Sequence, residues 1–213
     1  MRALPELVIE PLVRAALLED LGRAGDVTTD SIIAADARAT VQLVSRESGV
    51  VAGLPLAVLA WRLVDPCITV EVHLRDGSRV EPGSVIATAC GPARGLLTGE
   101  RVAVNFLGHL SGGATGTATI ADAIAHTHAQ VADTRKTIPG LRALQKYAVR
   151  CGGGANHRLG LDDAVLIKDN HIAVAGGVRQ AVEAAKASVG HLVKIEVEVD
   201  SLAMLAELLE VGA

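Results

Sequence analysis

From residue 130 onward, short apolar runs alternate with segments that have the periodicity of amphipathic helices. The runs predicted as buried strands are 130–133, 164–167 and 193–199. The helices predicted after them are 139–149, 177–187 and 201–212. Repeated strand–helix units form a parallel sheet, because each helix returns the chain to the same end of the sheet. This part of the chain is therefore predicted to be an α/β barrel or a doubly wound sheet.

The preceding part of the chain has a different texture, with the alternation of polar and apolar residues that is typical of antiparallel strands. The predicted strands are 40–46, 68–74 and 85–89, and the predicted helices are 8–21 and 54–64. A further helix from about residue 93 is predicted to end at Ser111-Gly112-Gly113, before another helix at 115–126. We therefore predict two domains, 1–111 and 112–213.

A basic window extends from Thr134 to Leu161 in a chain whose formal net charge is -4. It contains no Asp or Glu. Its cations are Arg135, Lys136, Arg142, Lys146, Arg150 and Arg158, and it also contains His157. Apolar residues recur within the window at helical spacing, which indicates a folded element and not a tail. Local positive charge in an acidic protein indicates an anionic partner.

The composition favours a small anion over a nucleic acid or a membrane. Aromatic residues, which stack on bases in single-strand binders, make up only 1% of the chain. The longest apolar stretch, 50–61, contains Gly53 and Pro55 and is too short to cross a bilayer. The N-terminus lacks the core of a signal peptide, and the three cysteines match neither a disulfide framework nor a zinc site. These features predict a cytoplasmic protein that binds a small polyanion.

Polar side chains that can bind such an anion lie at or near the ends of the predicted strands. Arg135 and Lys136 follow the first strand, Lys168 ends the second, and the third nearly ends at Glu198. In α/β barrels the carboxyl ends of the strands hold the active site, so we expect these residues to share one. The competing interpretations are a solvated loop for the first pair, an ion pair with Asp169 for Lys168, and a solvated strand face for the glutamate.

A glycine run at 152–154 is followed by Asn156, His157 and Arg158. Glycines alone are compatible with a helix stop and a flexible loop, whereas three polar side chains on a constrained turn favour a binding site. The sequence has no Walker P-loop, and it has no dinucleotide fingerprint at a strand–helix junction. It also lacks a pattern that supports Ser/His/Asp or Cys/His nucleophilic catalysis.

Several motifs together give the chain a close resemblance to the quinolinate phosphoribosyltransferase family. In the N-terminal part they are GDVTTD (25–30), SRESGVVAG (45–53) and GERVAVNFLGHLSG (99–112). In the C-terminal part they are DTRKT (133–137), GGGANHR (152–158), KDNH (168–171) and EVEVDS (196–201). Each motif alone is weak, but the set is specific and the resemblance covers nearly the whole chain.

The resemblance implies an α/β fold in which an N-terminal α/β sandwich domain precedes an incomplete, open α/β barrel. It implies a pentosyltransferase that joins quinolinate to phosphoribosyl pyrophosphate with Mg²⁺. The products are nicotinate mononucleotide, pyrophosphate and CO₂, in a step of de novo NAD synthesis. The resemblance also implies a homodimer or larger oligomer whose active site is shared between subunits.

The same resemblance implies a role for each candidate residue. The residues expected to line the quinolinate pocket are Thr134, Arg135, Lys136, His157 and Arg158. Lys168 is expected between quinolinate and the sugar, and Glu198 is expected to hold the ribose hydroxyls or their metal ion. Arg101 is expected to be donated across the dimer. Lys136, Lys168 and Glu198 are the expected catalytic residues, acting through orientation and electrostatics because no protein nucleophile is required.

The predicted barrel has three βα units, after which the sequence ends at residues 211–213. The family's later aspartate motif and glycine-rich phosphate loops have no counterpart in these residues. We therefore expect a truncated barrel that binds phosphoribosyl pyrophosphate poorly. The alternatives are a molybdenum-transport-linked paralogue of the same fold and a truncated, non-catalytic binding form. The KDNH and NHR motifs favour the quinolinate enzyme over the paralogue.

Overall fold

The chain has a mixed α/β fold, as predicted. The computed structural model describes residues 4–212. It separates into two units, the first ending at His157 and the second beginning at Arg158. The predicted domain boundary between residues 111 and 112 lies inside the first unit and stays a prediction. Among the described helices, none has the length and apolar character needed to cross a membrane.

The first unit combines antiparallel strands with helices. Its helices are α1 (Glu6–Leu21), α2 (Val27–Ile32), α3 (Leu54–Val64), α4 (Ala93–Ala123) and α5 (Arg142–Cys151). Its strands are β1 (Arg38–Val44), β2 (Gly49–Val50), β3 (Thr69–Val72), β4 (Arg79–Val80) and β5 (Val85–Pro92). β5 lies between β1 and β3 in one antiparallel sheet, and β2 pairs with β4. The antiparallel character predicted from alternation is therefore confirmed.

The core of the first unit lies where α3 packs against α4. Helix α3 begins at Leu54 with Pro55 in its first turn, as predicted, since proline has no N–H to lose there. Trp61 is buried, and its indole Nε1 donates to the Leu96 carbonyl at 2.9 Å. Gly99 allows this close packing, because a Cβ there would lie 2.7 Å from Trp61 Cδ1.

Helix α4 is continuous for 31 residues, so the predicted break at Ser111-Gly112-Gly113 is wrong. Each helical glycine costs about 1 kcal/mol relative to alanine. Tertiary contacts offset this cost. Ser111 Oγ accepts from the Ala52 N–H at 3.0 Å, and Thr115 Oγ1 accepts from the Val50 N–H at 2.9 Å. The small residues of α4 therefore mark the place where the β2 segment packs against the helix.

The segment between α4 and α5 has less regular structure than predicted. The expected strand at 130–133 is reduced to a single parallel bridge between Ala132 and Ala155. Helix α5 begins at Arg142 and not at Pro139. Gly140 has a φ of 81°, which is incompatible with a right-handed helix and delays the helix start.

The glycine run after α5 is a close-packing element. A Cβ on Gly152 would lie 2.2 Å from the Ala114 carbonyl oxygen of α4, and a Cβ on Gly154 would lie 2.7 Å from Val149 Cγ1. Gly153 has a φ of 87°, in the left-handed region that favours glycine. The run therefore sets the path of the chain into Asn156 and His157.

The second unit is built on a parallel strand pair. Its elements are β6 (Val165–Ile167), α6 (Asp169–Ala175), α7 (Val178–Ser188), β7 (Ile195–Val197) and α8 (Leu202–Glu210). β6 and β7 pair in parallel, as predicted for this part of the chain. Helix α8 starts at the predicted cap, where Ser201 Oγ accepts from the Met204 N–H at 3.2 Å. A small apolar core includes Ile167, Val178 and Val182.

Candidate active site

Lys168 and Glu198 lie side by side at the carboxyl edge of β6 and β7. The last paired residues of the two strands are Ile167 and Val197, so the next residue on each strand belongs to this edge. The Lys168 ammonium nitrogen lies 2.8 and 3.0 Å from the two carboxylate oxygens of Glu198. Lys168 therefore pairs with Glu198, and the competing interpretation of an ion pair with Asp169 is wrong.

The backbone around this pair is fixed by local hydrogen bonds. The Glu198 N–H donates to the Ile167 carbonyl at 2.9 Å. The Lys168 N–H donates to Nδ1 of His171 at 3.0 Å. The KDNH motif continues directly from β6 into α6. Both charged side chains remain about half exposed, at 44% for Lys168 and 54% for Glu198. A polar ligand can therefore reach the pair.

Arg158 opens the second unit on a structured turn. Its guanidinium donates to the Ala164 carbonyl at 3.1 Å. The Asp163 carboxylate accepts from the N–H groups of Leu159 at 2.6 Å and Gly160 at 3.0 Å. These two backbone hydrogen bonds lower the pKa of Asp163, which is therefore an anion at neutral pH. The segment after Arg158 is thus held by its own hydrogen bonds.

In the first unit, Asp133 lies at the centre of a buried polar network. Its Oδ1 accepts from the Lys146 ammonium and from the His157 N–H, the latter at 2.9 Å. Its Oδ2 accepts from the Asn156 amide at 2.5 Å. Only 8% of the Asp133 side chain and 4% of the Lys146 side chain are exposed. This network joins the segment before Thr134 to the segment that carries His157.

A cavity of about 420 Å³ lies beside this network. It is lined by residues that include His109, Asp133, Thr134, Lys136 and Lys146. The Lys136 N–H donates to Thr134 Oγ1 at 3.0 Å, in a local turn that presents the exposed lysine side chain. Because Asp133 neutralises Lys146, Lys136 supplies the net positive charge of the cavity wall. Thr134 and Lys136 therefore line a cavity while their side chains remain exposed.

A hydrogen bond from Gln145 favours one tautomer of His109. Gln145 Oε1 accepts from the Ile138 N–H at 2.8 Å, which fixes the orientation of the amide. The amide nitrogen of Gln145 then lies 3.3 Å from His109 Nε2 and donates to it. Neutral His109 therefore carries its proton on Nδ1, which leaves that nitrogen as the donor.

The other two predicted arginines lie in different surroundings. Arg135 is partly buried, and its Nε has no hydrogen-bond partner among residues 4–212. Arg101 is exposed on α4 and lines a separate cavity of about 330 Å³, whose wall also includes Glu19 and Asp20 of α1. His109 lines both this cavity and that of Lys136. A third cavity, of about 490 Å³ between α1 and α3, contains none of the predicted site residues.

Five of the eight predicted site residues thus form two groups within the described structure, and Arg101, Arg135 and Arg158 belong to neither. Thr134 and Lys136 share one cavity wall in the first unit, and His157 is tied to that wall through Asp133. Lys168 and Glu198 form the second group, in the second unit. Arg101 does not line the Lys136 cavity.

Sequence analysis missed the structural roles of Asp133, Lys146 and His109. Asp133 lies one residue outside the acid-free window. Lys146 lies on the buried face of α5 beside Leu144 and Tyr147, and a lysine on an apolar helix face needs a counter-charge. That helical position was the available signal. His109 gave no comparable signal, because its partner Gln145 is 36 residues away.

Within residues 4–212, no group of three or more His, Cys, Asp or Glu side chains is placed to hold a metal ion. The predicted metal ligand, Glu198, is an oxygen donor of the kind that Mg²⁺ prefers. Its carboxylate is bound to Lys168, so a metal ion there must share or displace the ammonium.

Two family models match consecutive parts of the chain. The N-terminal domain of quinolinate phosphoribosyl transferase matches residues 26–111, and the C-terminal domain matches residues 114–213. The carboxylating nicotinate-nucleotide pyrophosphorylase of Mycobacterium leprae is 48% identical over 204 residues, which cover 92% of this chain and 70% of that protein. A probable counterpart from Bacillus subtilis is 41% identical and covers 97% of this chain and 71% of its own length.

Solved structures give the same relationship. The structure of NadC from Streptococcus pyogenes has a TM-score of 0.96 at 41% identity, covering 100% of this chain and 75% of that one. The nicotinate-nucleotide pyrophosphorylase from Francisella tularensis has a TM-score of 0.94 at 40% identity, covering 99% of this chain and 74% of that one.

Proposed function

This chain belongs to the quinolinate phosphoribosyltransferase family, and from that premise we propose how its residues carry the family's reaction. The enzyme is a pentosyltransferase of the carboxylating nicotinate-nucleotide pyrophosphorylase type. It transfers the phosphoribosyl group of phosphoribosyl pyrophosphate to quinolinate. The products are nicotinate mononucleotide, pyrophosphate and CO₂, and the reaction serves NAD synthesis.

We assign the quinolinate pocket to the cavity that contains Lys136, and this cavity is the observation that carries the proposal. Quinolinate has two adjacent carboxylates, so its site needs cations and hydrogen-bond donors in a confined space. Lys136, Thr134 and His109 line the cavity, and their side chains can supply an ammonium, a hydroxyl and an imidazole N–H. We assign Arg135, His157 and Arg158 to quinolinate binding from the family resemblance alone, since none of them lines this cavity. Arginine binds carboxylates through two parallel hydrogen bonds.

We assign the ribose end of the donor substrate to Lys168 and Glu198. Both lie at the carboxyl edge of a parallel strand pair, the edge at which α/β enzymes bind their substrates. The Glu198 carboxylate can accept hydrogen bonds from ribose hydroxyls while it remains paired with Lys168. The Lys168 ammonium is then available to the negative charge of quinolinate or pyrophosphate.

The chemical step needs no covalent bond to the protein. The pyridine nitrogen of quinolinate attacks the anomeric carbon, the new C–N bond forms, and the bond to the pyrophosphate oxygen breaks. The resulting pyridinium accepts the electron pair of the carbon–carboxylate bond as CO₂ leaves, and a proton then replaces the carboxylate. Positive charge develops on the sugar and negative charge on pyrophosphate. The cations of the site therefore act through electrostatic stabilisation and orientation.

We further propose that Mg²⁺ accompanies phosphoribosyl pyrophosphate. Mg²⁺ is commonly bound by one or two carboxylates together with substrate phosphates, and Glu198 is a suitable carboxylate. Such an ion would offset negative charge on the pyrophosphate. This assignment is supported only by the donor chemistry of Glu198 and by the family.

The larger assembly is also a proposal. We propose that the second unit is part of an open α/β barrel and that the enzyme is a cytoplasmic homodimer, with Arg101 serving the site of the neighbouring subunit. The exposed position of Arg101, outside the Lys136 cavity, supports a role in trans. The free state of all three cysteines is compatible with a reducing compartment.

The decisive experiment compares the full-length protein with its Lys136→Ala variant. The wild type is expected to release pyrophosphate and CO₂ from phosphoribosyl pyrophosphate only when quinolinate is present. The variant should bind quinolinate about ten- to a hundredfold more weakly, since a charge-assisted hydrogen bond is worth about 1.5–3 kcal/mol. Lys194→Ala is the matched control. Lys194 is also an exposed lysine, and it lies at the amino end of β7, whereas the proposed site residue Glu198 lies at the carboxyl end. Quinolinate-independent turnover, or equal effects of both variants, would contradict the assignment.

A further inference from the structure

We propose that the buried Asp133–Lys146 pair is a positioning device for the quinolinate pocket, acting on the two segments that carry its binding residues. The first segment, 134–137, includes Thr134 and Lys136, and the second, 155–157, includes His157. The pair holds these segments in a fixed relationship. This inference rests on the proposed function, because that function assigns the two segments to one pocket.

The pair controls the second segment through its main chain and one side chain. The His157 N–H donates to Asp133 Oδ1 at 2.9 Å, and the His157 carbonyl accepts from the Lys146 ammonium at 3.0 Å. The Asn156 amide donates to Asp133 Oδ2 and also to the Lys146 carbonyl, at 2.5 and 2.8 Å. Both the N–H and the carbonyl of His157 are therefore hydrogen-bonded to the Asp133–Lys146 pair.

The pair controls the first segment because Asp133 immediately precedes it. The Asp133 N–H donates to the Ala155 carbonyl at 3.1 Å, and the Ala155 N–H donates to the Val131 carbonyl at 2.8 Å. These contacts make the short parallel connection between the segments. A strand of normal length would fix this register through many ladder bonds. Here the isolated bridge of Ala132 with Ala155 is supplemented by the side-chain network.

Asp133 and Lys146 act through other residues and not on the substrate itself. Their side chains are 8% and 4% exposed, and three protein donors already occupy the carboxylate. An apolar pair of similar volume would fill the same space, and such replacements of buried ion pairs are often neutral for stability. Apolar side chains cannot bind the polar groups of His157. The charged pair therefore does more than fill space in the core. Its hydrogen bonds also fix the positions of the two segments.

This distinction gives a test that separates positioning from stability. Lys146→Met alone leaves an uncompensated buried carboxylate and is expected to lower the melting temperature. The double variant Asp133→Leu/Lys146→Met is expected to melt above Lys146→Met, because both buried charges are removed. Its KM for quinolinate should nevertheless stay raised by about tenfold or more, because the two segments that bind quinolinate are no longer held together by the pair. The KM for phosphoribosyl pyrophosphate should not change.

A milder variant tests the same inference if the double variant does not fold. Asn156→Ala removes the two amide hydrogen bonds but leaves the buried pair, and Asn156 lies at the surface. We expect about a tenfold rise in the KM for quinolinate, equivalent to about 1.4 kcal/mol. The melting temperature should stay close to the wild type, because Asn156 is exposed and water can replace its hydrogen bonds. Asp122→Asn is the control, since it weakens an exposed ion pair with Arg79 elsewhere in the first unit.

The outcomes are distinct. A normal KM for quinolinate in a folded double variant, or in Asn156→Ala, would overturn the inference and leave the proposed function intact. Lack of quinolinate turnover by the full-length wild type would overturn the proposed function and this inference with it. A raised quinolinate KM at unchanged stability, with a normal Asp122→Asn control, would support both.

Discussion

Replacement of Lys168 by methionine is expected to change activity far more than stability. Lys168 and Glu198 pair through two short contacts, but their side chains are 44% and 54% exposed. Ion pairs this exposed contribute about 0.2–1 kcal/mol to folding. For a chain of this size, 1 kcal/mol corresponds to about 2–4 °C in melting temperature. The Lys168→Met variant should therefore melt no more than about 4 °C below the wild type.

The same substitution removes the ammonium that we assign to the space between quinolinate and the sugar. One lost charge-assisted hydrogen bond of about 1.5–3 kcal/mol lowers kcat/KM about ten- to a hundredfold. Glu198→Gln keeps the side-chain shape and removes the negative charge. It should therefore weaken the binding of phosphoribosyl pyrophosphate through its ribose hydroxyls. Steady-state kinetics with each substrate varied in turn would locate the two losses.

Arg79→Met provides the matched comparison for this prediction. Arg79 pairs with Asp122, and these side chains are 66% and 57% exposed. Its loss should cost a similar amount of stability and leave kcat/KM unchanged. The assignment of Lys168 to the reacting site would be refuted if Lys168→Met retained wild-type kcat/KM, or if Arg79→Met lost as much activity as Lys168→Met.

Three further predictions concern other parts of the chain. Mixed Arg101→Ala and Lys136→Ala subunits should regain part of the activity that each variant lacks, and no recovery despite proven subunit exchange would contradict a shared site. Gly152→Ala should destabilise the fold by about 1–3 kcal/mol in denaturant unfolding, because the added Cβ would lie 2.2 Å from the Ala114 carbonyl oxygen; a wild-type midpoint would refute this packing. Burial raises the pKa of the Cys151 thiol to about 11, so the unfolded chain loses this proton first and stability should fall as the pH rises towards about 11. That fall in stability should be smaller in Cys151→Ala. The same dependence of stability on pH in both proteins would contradict the raised pKa of the Cys151 thiol.

The parts of the fold that could be predicted depend on local signals. Helix α3 has the predicted bounds, because Pro55 suits a first helical turn and the apolar run after it is helical in length. The start of α8 was equally visible, since Ser201 supplies the cap. The parallel pairing of β6 and β7 followed from the strand–helix alternation and placed Lys168 and Glu198 at one edge.

The parts that could not be predicted depend on distant contacts. The glycines at 112 and 113 favour a break by local propensity, but Ser111 and Thr115 bind a backbone segment about 60 residues earlier. The sequence also presented Lys146 as a cation available to a ligand. Its partner Asp133 lies 13 residues earlier and is brought onto the same helix face only by the fold. The basic window therefore offers at least one cation fewer to a ligand than its sequence indicates.

The uninterrupted helix α4 has a consequence for the history and the mechanics of this chain. The two family models adjoin at residues 111 and 114, in the interior of a single helix that spans Ala93–Ala123. An exchange of genetic modules at that junction would join half-helices from different ancestors, and it would succeed only if both halves kept the small residues that pack against the β2 segment. The boundary between the two family models is therefore not expected to be a boundary in unfolding. The residues on either side of it should melt together, as one cooperative block that extends through α5.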